Sequence, residues 1–348
     1  MAEIQEQLAA VVETGVPGVV VVASGSEGPI EAAAGVADIA TGTALTPDHR
    51  FRIGSVTKIF VASLVLRLVE EGLLELDGDA APFAAGITIR QLLNHTSGLD
   101  DHLGDPIAFF EPYRRDPAHR WELAAHDELE LVLAKPRLFP PGEGWAYRGS
   151  NYLVLRLLVE EATGMSLRAA LRERILDPFG LDRTDLVEEP LRGDCARGYL
   201  PPDNPILPGG PGLVDVTELD LPFYRAGGGI VSTARDVAAF LRALLGGDLI
   251  SDRLRAQLLD AVDSDWPETD RYGLGIGEVT ALMRRKQSNC GAAWGHLGFS
   301  PGYIAIALSS EDGKRQVVIC ANGHPADEAA EEAFFDAAGG LVWRFYCA

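Results

Sequence analysis

A serine hydroxyl and a lysine amine stand three positions apart in Ser55-Val56-Thr57-Lys58, directly before the mostly apolar run Ile59–Leu68. That run is apolar enough for a buried helix, which puts the pair at the helix N-terminus. Positions i and i+3 share a helix face, so the two polar groups can touch. A lysine buried there, at the positive end of the helix dipole, loses proton affinity. A neutral amine beside a hydroxyl is a general base beside a nucleophile. Ser-x-x-Lys also arises by chance about once in a few hundred residues, so the tetrad alone leaves both readings open.

Two distant segments offer matching chemistry. Phe139–Tyr152 runs from a Pro/Gly loop into a helix, with Tyr147 at the loop end, where its phenol either enters a cleft or plugs the structure. Trp294–Tyr303 carries His296 between Gly295 and Gly298 at the start of a strand. Glycines there let a ligand or another backbone approach closely. Alone, His296 is read equally well as catalytic or as structural.

The elements that must position these groups follow from periodicity. Residues 3–13 predict a helix. Val19–Ala23 and Pro29–Gly35 predict a hairpin about the turn Gly25-Ser26-Glu27-Gly28. Helices are expected at 55–72, 88–94, 150–163 and Leu167–Ile175, and helices with long loops across 100–145. The Pro/Gly-dense stretch within 195–225 predicts a loop or a cleft wall. Ser232 is expected to cap a helix reaching Leu245. Strands are expected at Gly273–Gly277, Tyr303–Leu308 and Gln316–Ala321, then a last helix over 326–346. Strands at both ends with helices between them imply one domain over 1–348. Its α/β part covers about 1–60 and 270–348, and a mostly helical part, about 61–269, is inserted.

The 348 residues suffice for one large domain with an ample core, and 47% hydrophobic with 23% charged residues is ordinary for an enzyme. A net charge of −21 argues against nucleic acid and anionic membranes as partners. No apolar run is long enough to span a bilayer, and the acidic start lacks the pattern of a secretory leader. The chain is expected to be cytoplasmic, or extracytoplasmic if a leader has been removed. The four cysteines have no Cys-x-x-Cys spacing, which argues against zinc. His95/His102 and His119/His126 are expected to be structural or surface residues.

In the order Ser-x-x-Lys, loop Tyr, His-x-Gly, the chain resembles the penicillin-recognising serine hydrolases. The branch is that of class C β-lactamases, D-alanyl-D-alanine carboxypeptidases and family VIII esterases. The likeness extends to Gln91-Leu-Leu-Asn-His95-Thr-Ser-Gly-Leu99, Pro141-Gly-Glu, Gly228-Gly-Ile-Val-Ser-Thr233-Ala-Arg-Asp236, Tyr272-Gly-Leu-Gly-Ile276 and Ser300-Pro-Gly-Tyr303. It implies an α/β fold with an antiparallel sheet, a helical subdomain, and the site between them. It also implies an acyl-Ser55 intermediate, Lys58 as base, Tyr147 as proton donor to the leaving group, and an oxyanion hole from the N–H groups of Ser55 and Phe299. His296 and Gly298 would line the cleft. No cofactor or metal is implied, and the partner is a small-molecule or peptide substrate of a monomer.

The second motif of the family is usually Tyr-x-Asn, and here it reads Tyr147-Arg148-Gly149, so the amide that orients the acyl group is missing. Arg148 either is solvated or reaches the cleft. The third motif carries Leu297 and Phe299 where the carboxypeptidases carry hydroxyls, which implies an apolar rim. Arg284, in Arg284-Arg285-Lys286, stands about where the family places a carboxylate-binding arginine. The resemblance further implies a Cys290–Cys347 disulfide, with Cys195 and Cys320 outside any disulfide. The expected activity is that of a D-alanyl-D-alanine carboxypeptidase, D-amino-acid peptidase or esterase. An acyltransferase, a β-lactamase and a catalytically silent binding homologue are the alternatives.

Overall fold

The computed structural model describes residues 2–25, 28–101, 110–116, 119–120, 124–187, 191, 193–207, 212–221, 225–267, 269–280, 282 and 290–347. A nine-stranded antiparallel sheet begins with Val262–Asp263, Thr269–Tyr272, Gly277–Val279, Trp294–Ser300 and Tyr303–Ser309. It continues through Gln316–Ala321, Gly18–Ser24, Ile30–Asp38 and Thr43–Ala44. Both ends of the chain therefore build it, and they meet where Val19 pairs with Ala321 on one side and Ala34 on the other.

Both faces of the sheet are covered, which is why Gly18–Ser24 reads as an unbroken apolar run. The two-residue alternation persists in space. Val20 and Val22 pack on one side, Val19, Val21 and Ala23 on the other. Ala2–Val12 and Glu328–Val342 cover the second side. The former does so with Ile4, Leu8 and Val11, an i, i+4, i+7 stripe.

The first side holds the helix Thr57–Glu70. Every residue from Thr57 to Leu66 is buried, as expected of a helix that is apolar all round. Phe60 stacks on Phe240 of the helix Ala234–Gly246, ring centroids 3.6 Å apart. Burying each of these rings contributes about 1.5–3 kcal/mol. Beside this helix lies Ser150–Thr163.

A small sheet that periodicity did not reveal fixes the start of the serine helix. Ile230–Ser232 pairs with Phe51–Arg52 and with Asp185–Leu186. Ile53 N–H donates to Ile230 O, and Ile230 N–H donates to Thr57 Oγ1 at 3.1 Å. The segment around Gly227 is thereby stitched to the turn carrying Ser55.

Three local expectations are corrected. Thr233, not Ser232, caps the helix Ala234–Gly246: its hydroxyl accepts Asp236 N–H at 3.1 Å, while the buried Ser232 Oγ lies 2.7 Å from Thr184 Oγ1. Gly273–Ile276 is the turn between two strands rather than a strand, because Gly273 N–H closes onto Ile276 O. The helix at Leu167 ends at Leu171 and continues as a π turn over Arg172–Leu176. Cys290 and Cys347 form a disulfide, whereas the buried Cys195 and Cys320 form none. Among the described residues no helix is long and apolar enough to cross a membrane.

Candidate active site

Ser55 lies in the 3-10 turn Gly54–Val56 that opens into the helix Thr57–Glu70. From Phe51 to Leu66 it is the one residue that is not buried. The structure brings Lys58 Nζ to 3.1 Å from Ser55 Oγ, and the amine also donates to Gly227 O at 2.8 Å. Lys58 is 4% exposed. Burial penalises the ammonium and pushes its pKa down to about 7, against a smaller upward pull from the Asp101 carboxylate. An amine that is free base near neutral pH, touching an accessible hydroxyl, can take the hydroxyl proton.

Close packing of two backbones sets the other half of the site. Gly54 has φ +51°, and a Cβ on it would lie 2.6 Å from Phe299 N. A Cβ on Gly298 would lie 1.9 Å from Ile53 O and 3.2 Å from Ser55 N. Glycine at both positions lets the strand Trp294–Ser300 slide against the serine turn. The amides of Ser55 and Phe299 thereby become neighbours, the arrangement that holds a developing oxyanion.

His296 is fully buried on the same strand. Its Nδ1 faces the Leu297 carbonyl, which can only accept, so Nδ1 carries the proton and Nε2 is the acceptor. Tyr272 Oη lies 3.0 Å from Nε2, and Tyr147 Oη 3.4 Å. Burial first, then the nearby Lys58, pushes the His296 pKa down to about 3, so the ring is neutral at physiological pH. The Tyr147 ring stands 4.8 Å from Lys58 Nζ and stacks on Trp266 at 4.8 Å. Ser55, Lys58, Tyr147 and His296 thus form one connected cluster.

Residues 2–340 match the Beta-lactamase family model. This chain belongs to the Beta-lactamase family. Penicillin-binding protein 4 of Amycolatopsis lactamdurans is 30% identical over 310 residues, which cover 81% of this chain and 68% of that protein. The D-stereospecific amidohydrolase from Streptomyces sp. superimposes with a TM-score of 0.81 at 27% identity, over 100% of this chain and 99% of that one. The D-amino acid amidase from Ochrobactrum anthropi SV3, complexed with D-phenylalanine, gives a TM-score of 0.82 at 26% identity, over 98% of each chain. This family member has the β-lactamase/DD-peptidase-like fold and is a serine hydrolase of that family.

Other residues singled out in the sequence fall as follows. Gly149 is exposed, and the space its missing side chain leaves is bounded by Asp101 Oδ1 at 3.6 Å from the Cβ position. Arg148 is half-buried: its guanidinium pairs with Asp100 at 3.0 Å and donates to the Tyr147 carbonyl at 2.8 Å. Arg284 and its neighbours, like His102, lie outside the described residues. The apolar rim is corrected. Leu297 points to the opposite face of the sheet and packs with Ile304 and Ile306, and Phe299 packs against the same cluster, because odd positions of this strand face away from Ser55. Phe299 contributes its backbone to the cleft.

Sequence reasoning missed four residues that shape the family member's site. Trp266 and Tyr272 wall it, and Gly227 fixes the amine through its carbonyl. His95, read as merely structural or surface, is fully buried with its ring 4.5 Å from Tyr147. Its Nδ1 receives Arg148 N–H at 3.2 Å and lies 2.9 Å from Asn151 Nδ2. Asn151 is consumed by that contact and by Ser97, so it does not replace the missing amide. The left-handed φ of +63° at His95 had no sequence signal beyond the neighbouring turn residues.

Proposed function

We propose that this protein cleaves amides or esters through an acyl-Ser55 intermediate, with Lys58 as general base. The observation that carries the reading is the 3.1 Å contact between an accessible serine and a buried lysine whose pKa is pushed to about 7. As Ser55 Oγ attacks the carbonyl carbon, its proton passes to the free amine of Lys58. The carbonyl π electrons move to oxygen, and the Ser55 and Phe299 amides hold that charge. The tetrahedral centre then collapses, the bond to the leaving group breaks, and the leaving atom takes a proton from Tyr147. Lys58 resupplies Tyr147, and water enters by the reverse relay to release the acid.

The neutral, buried His296 supports substrates without a terminal carboxylate, since it offers no cation to pair with one. The likeness to D-amino-acid amidohydrolases supports a D-amino-acid amide, ester or peptide as substrate. The Cys290–Cys347 disulfide supports maturation outside the reducing cytosol. The test is intact mass after exposure to a fluorophosphonate. One adduct is expected on the wild type and none on Ser55→Ala. An unmodified wild type, or an equal adduct on the variant, would sink the proposal.

A further inference from the structure

Tyr147 belongs to no helix or strand, so contacts from elsewhere must hold its phenol in place. The turn at residues 95–98 supplies them. Gly98 O accepts Leu138 N–H at 2.8 Å, Thr96 O accepts Gly142 N–H at 2.8 Å, and His95 O accepts Ala146 N–H at 3.0 Å. The last link comes from a side chain, where His95 Nδ1 accepts Arg148 N–H at 3.2 Å. One residue thus holds the N–H groups of both neighbours of Tyr147, and its ring lies 4.5 Å from the Tyr147 ring.

The imidazole is fixed as an acceptor at Nδ1. Ser97 Oγ takes Leu99 N–H at 3.1 Å and donates its own proton to Asn151 Oδ1 at 2.5 Å. That contact turns the Asn151 amide so that Nδ2 donates to His95 Nδ1 at 2.9 Å. Nδ1 therefore faces two N–H donors, which only the neutral Nε2–H tautomer satisfies. Burial favours the same neutral form. Nε2 has no hydrogen-bond partner among the described residues, so all the bonding of the ring lies at the edge that holds the Tyr147 loop. Reaching this pose takes a left-handed backbone: His95, at φ +63°, is the one non-glycine residue with positive φ among the described residues. Such a conformation persists where its surroundings over-determine it.

We propose that His95 is a positioning residue: by gripping the loop on both sides of Tyr147, its carbonyl and Nδ1 place the phenol to protonate the leaving group. This rests on the role given to Tyr147 in the reaction above. Misplacing such a donor by about 1 Å costs about 100-fold. The loss falls on leaving groups that need a proton and spares those that depart without one.

The probes share one acyl group. D-phenylalanine amide needs a proton on its leaving nitrogen, whereas D-phenylalanine 4-nitrophenyl ester releases a stable phenolate. The readout is the ratio of their kcat/KM values, amide over ester. His95→Gly removes the Nδ1 contact and accepts the left-handed backbone. His95→Asn also tolerates that backbone and returns an acceptor oxygen near the Nδ1 position. Thermal melts check that both fold.

His95→Gly is expected to cut the ratio about 100-fold, as Tyr147→Phe does, and the double variant to fall no lower than Tyr147→Phe alone. His95→Asn should recover most of the ratio. Fluorophosphonate labelling, which expels fluoride without a proton, should persist in His95→Gly. A purely structural role would slow both probes together. An unchanged ratio in His95→Gly, losses that multiply in the double variant, or no recovery in His95→Asn overturns the inference. If Tyr147→Phe lowers the ratio and His95→Gly does not, only this inference falls. If Tyr147→Phe leaves the ratio unchanged, the role of Tyr147 falls with it; if wild-type Ser55 is unlabelled, the acyl-enzyme falls as well.

Discussion

The pH dependence of Ser55 acylation reports directly on whether the buried amine is the base. An ordinary lysine titrates at 10.5, whereas burial brings Lys58 to about 7. The difference, 10.5 − 7, corresponds to about 5 kcal/mol taken from the ammonium form. At pH 7 it raises the fraction of free base from about 0.03% to about half, roughly a thousandfold, partly offset because a weaker base pulls less hard on the proton. The rate of fluorophosphonate labelling should therefore climb about tenfold per pH unit below 7 and level off above it, being about 100-fold slower at pH 5 than on the plateau.

An inflection near 7 would ordinarily be assigned to histidine. Here His296 is pushed down to about 3 and His95 well below its usual value, both chiefly by burial, so neither titrates in this range. His296→Gln should keep the inflection. Asp101→Asn should move it to lower pH, because removing a negative charge makes the ammonium still less stable. A flat profile from about pH 5 to 9, or an inflection lost with His296, would refute Lys58 as the base.

The same shift has a stability consequence of definite sign. Between pH 7 and 10.5 the unfolded chain keeps a proton on Lys58 that the folded chain releases, so folding grows more favourable as pH rises through that window. Lys58→Met should abolish labelling, raise stability at pH 7 by about 1–3 kcal/mol in denaturant titration, and flatten this pH dependence. Gly298→Ala places a Cβ 1.9 Å from Ile53 O; it should drive the strand off the serine turn and slow labelling by about 100-fold or more, with a lower Tm. Reducing the Cys290–Cys347 disulfide, which closes a loop of 57 residues, should cost up to about 4 kcal/mol in urea unfolding of the oxidised and reduced protein.

Much of the architecture was legible because its signals are local. The apolar strand Gly18–Ser24, the buried helix after Ser55 and the stripe Ile4, Leu8, Val11 carry their burial in residue type and spacing. Ser55 and Lys58 were legible as a pair because one helical turn joins them, and the helix is apolar enough to bury the amine. Linking Tyr147 and His296 to that pair took the order of motifs along the chain, since no local rule relates groups 149 residues apart.

The pocket around the pair was decided by contacts distant in sequence. Leu297 and Phe299 looked like a cleft rim until the pleat of their strand turned both side chains to the other face of the sheet. Gly149 read as a lost amide, and folding set the Asp101 carboxylate across the space it left. Sequence by itself determined that Ser55 and Lys58 share one end of a buried helix and that a sheet from both chain ends backs it, because helix spacing and apolar runs act within a few residues. What surrounds the pair depended on how the turn at Asp101, the helix at Ser150, the carbonyl of Gly227 and the strand carrying His296 meet, and that meeting exists only in the packed tertiary structure.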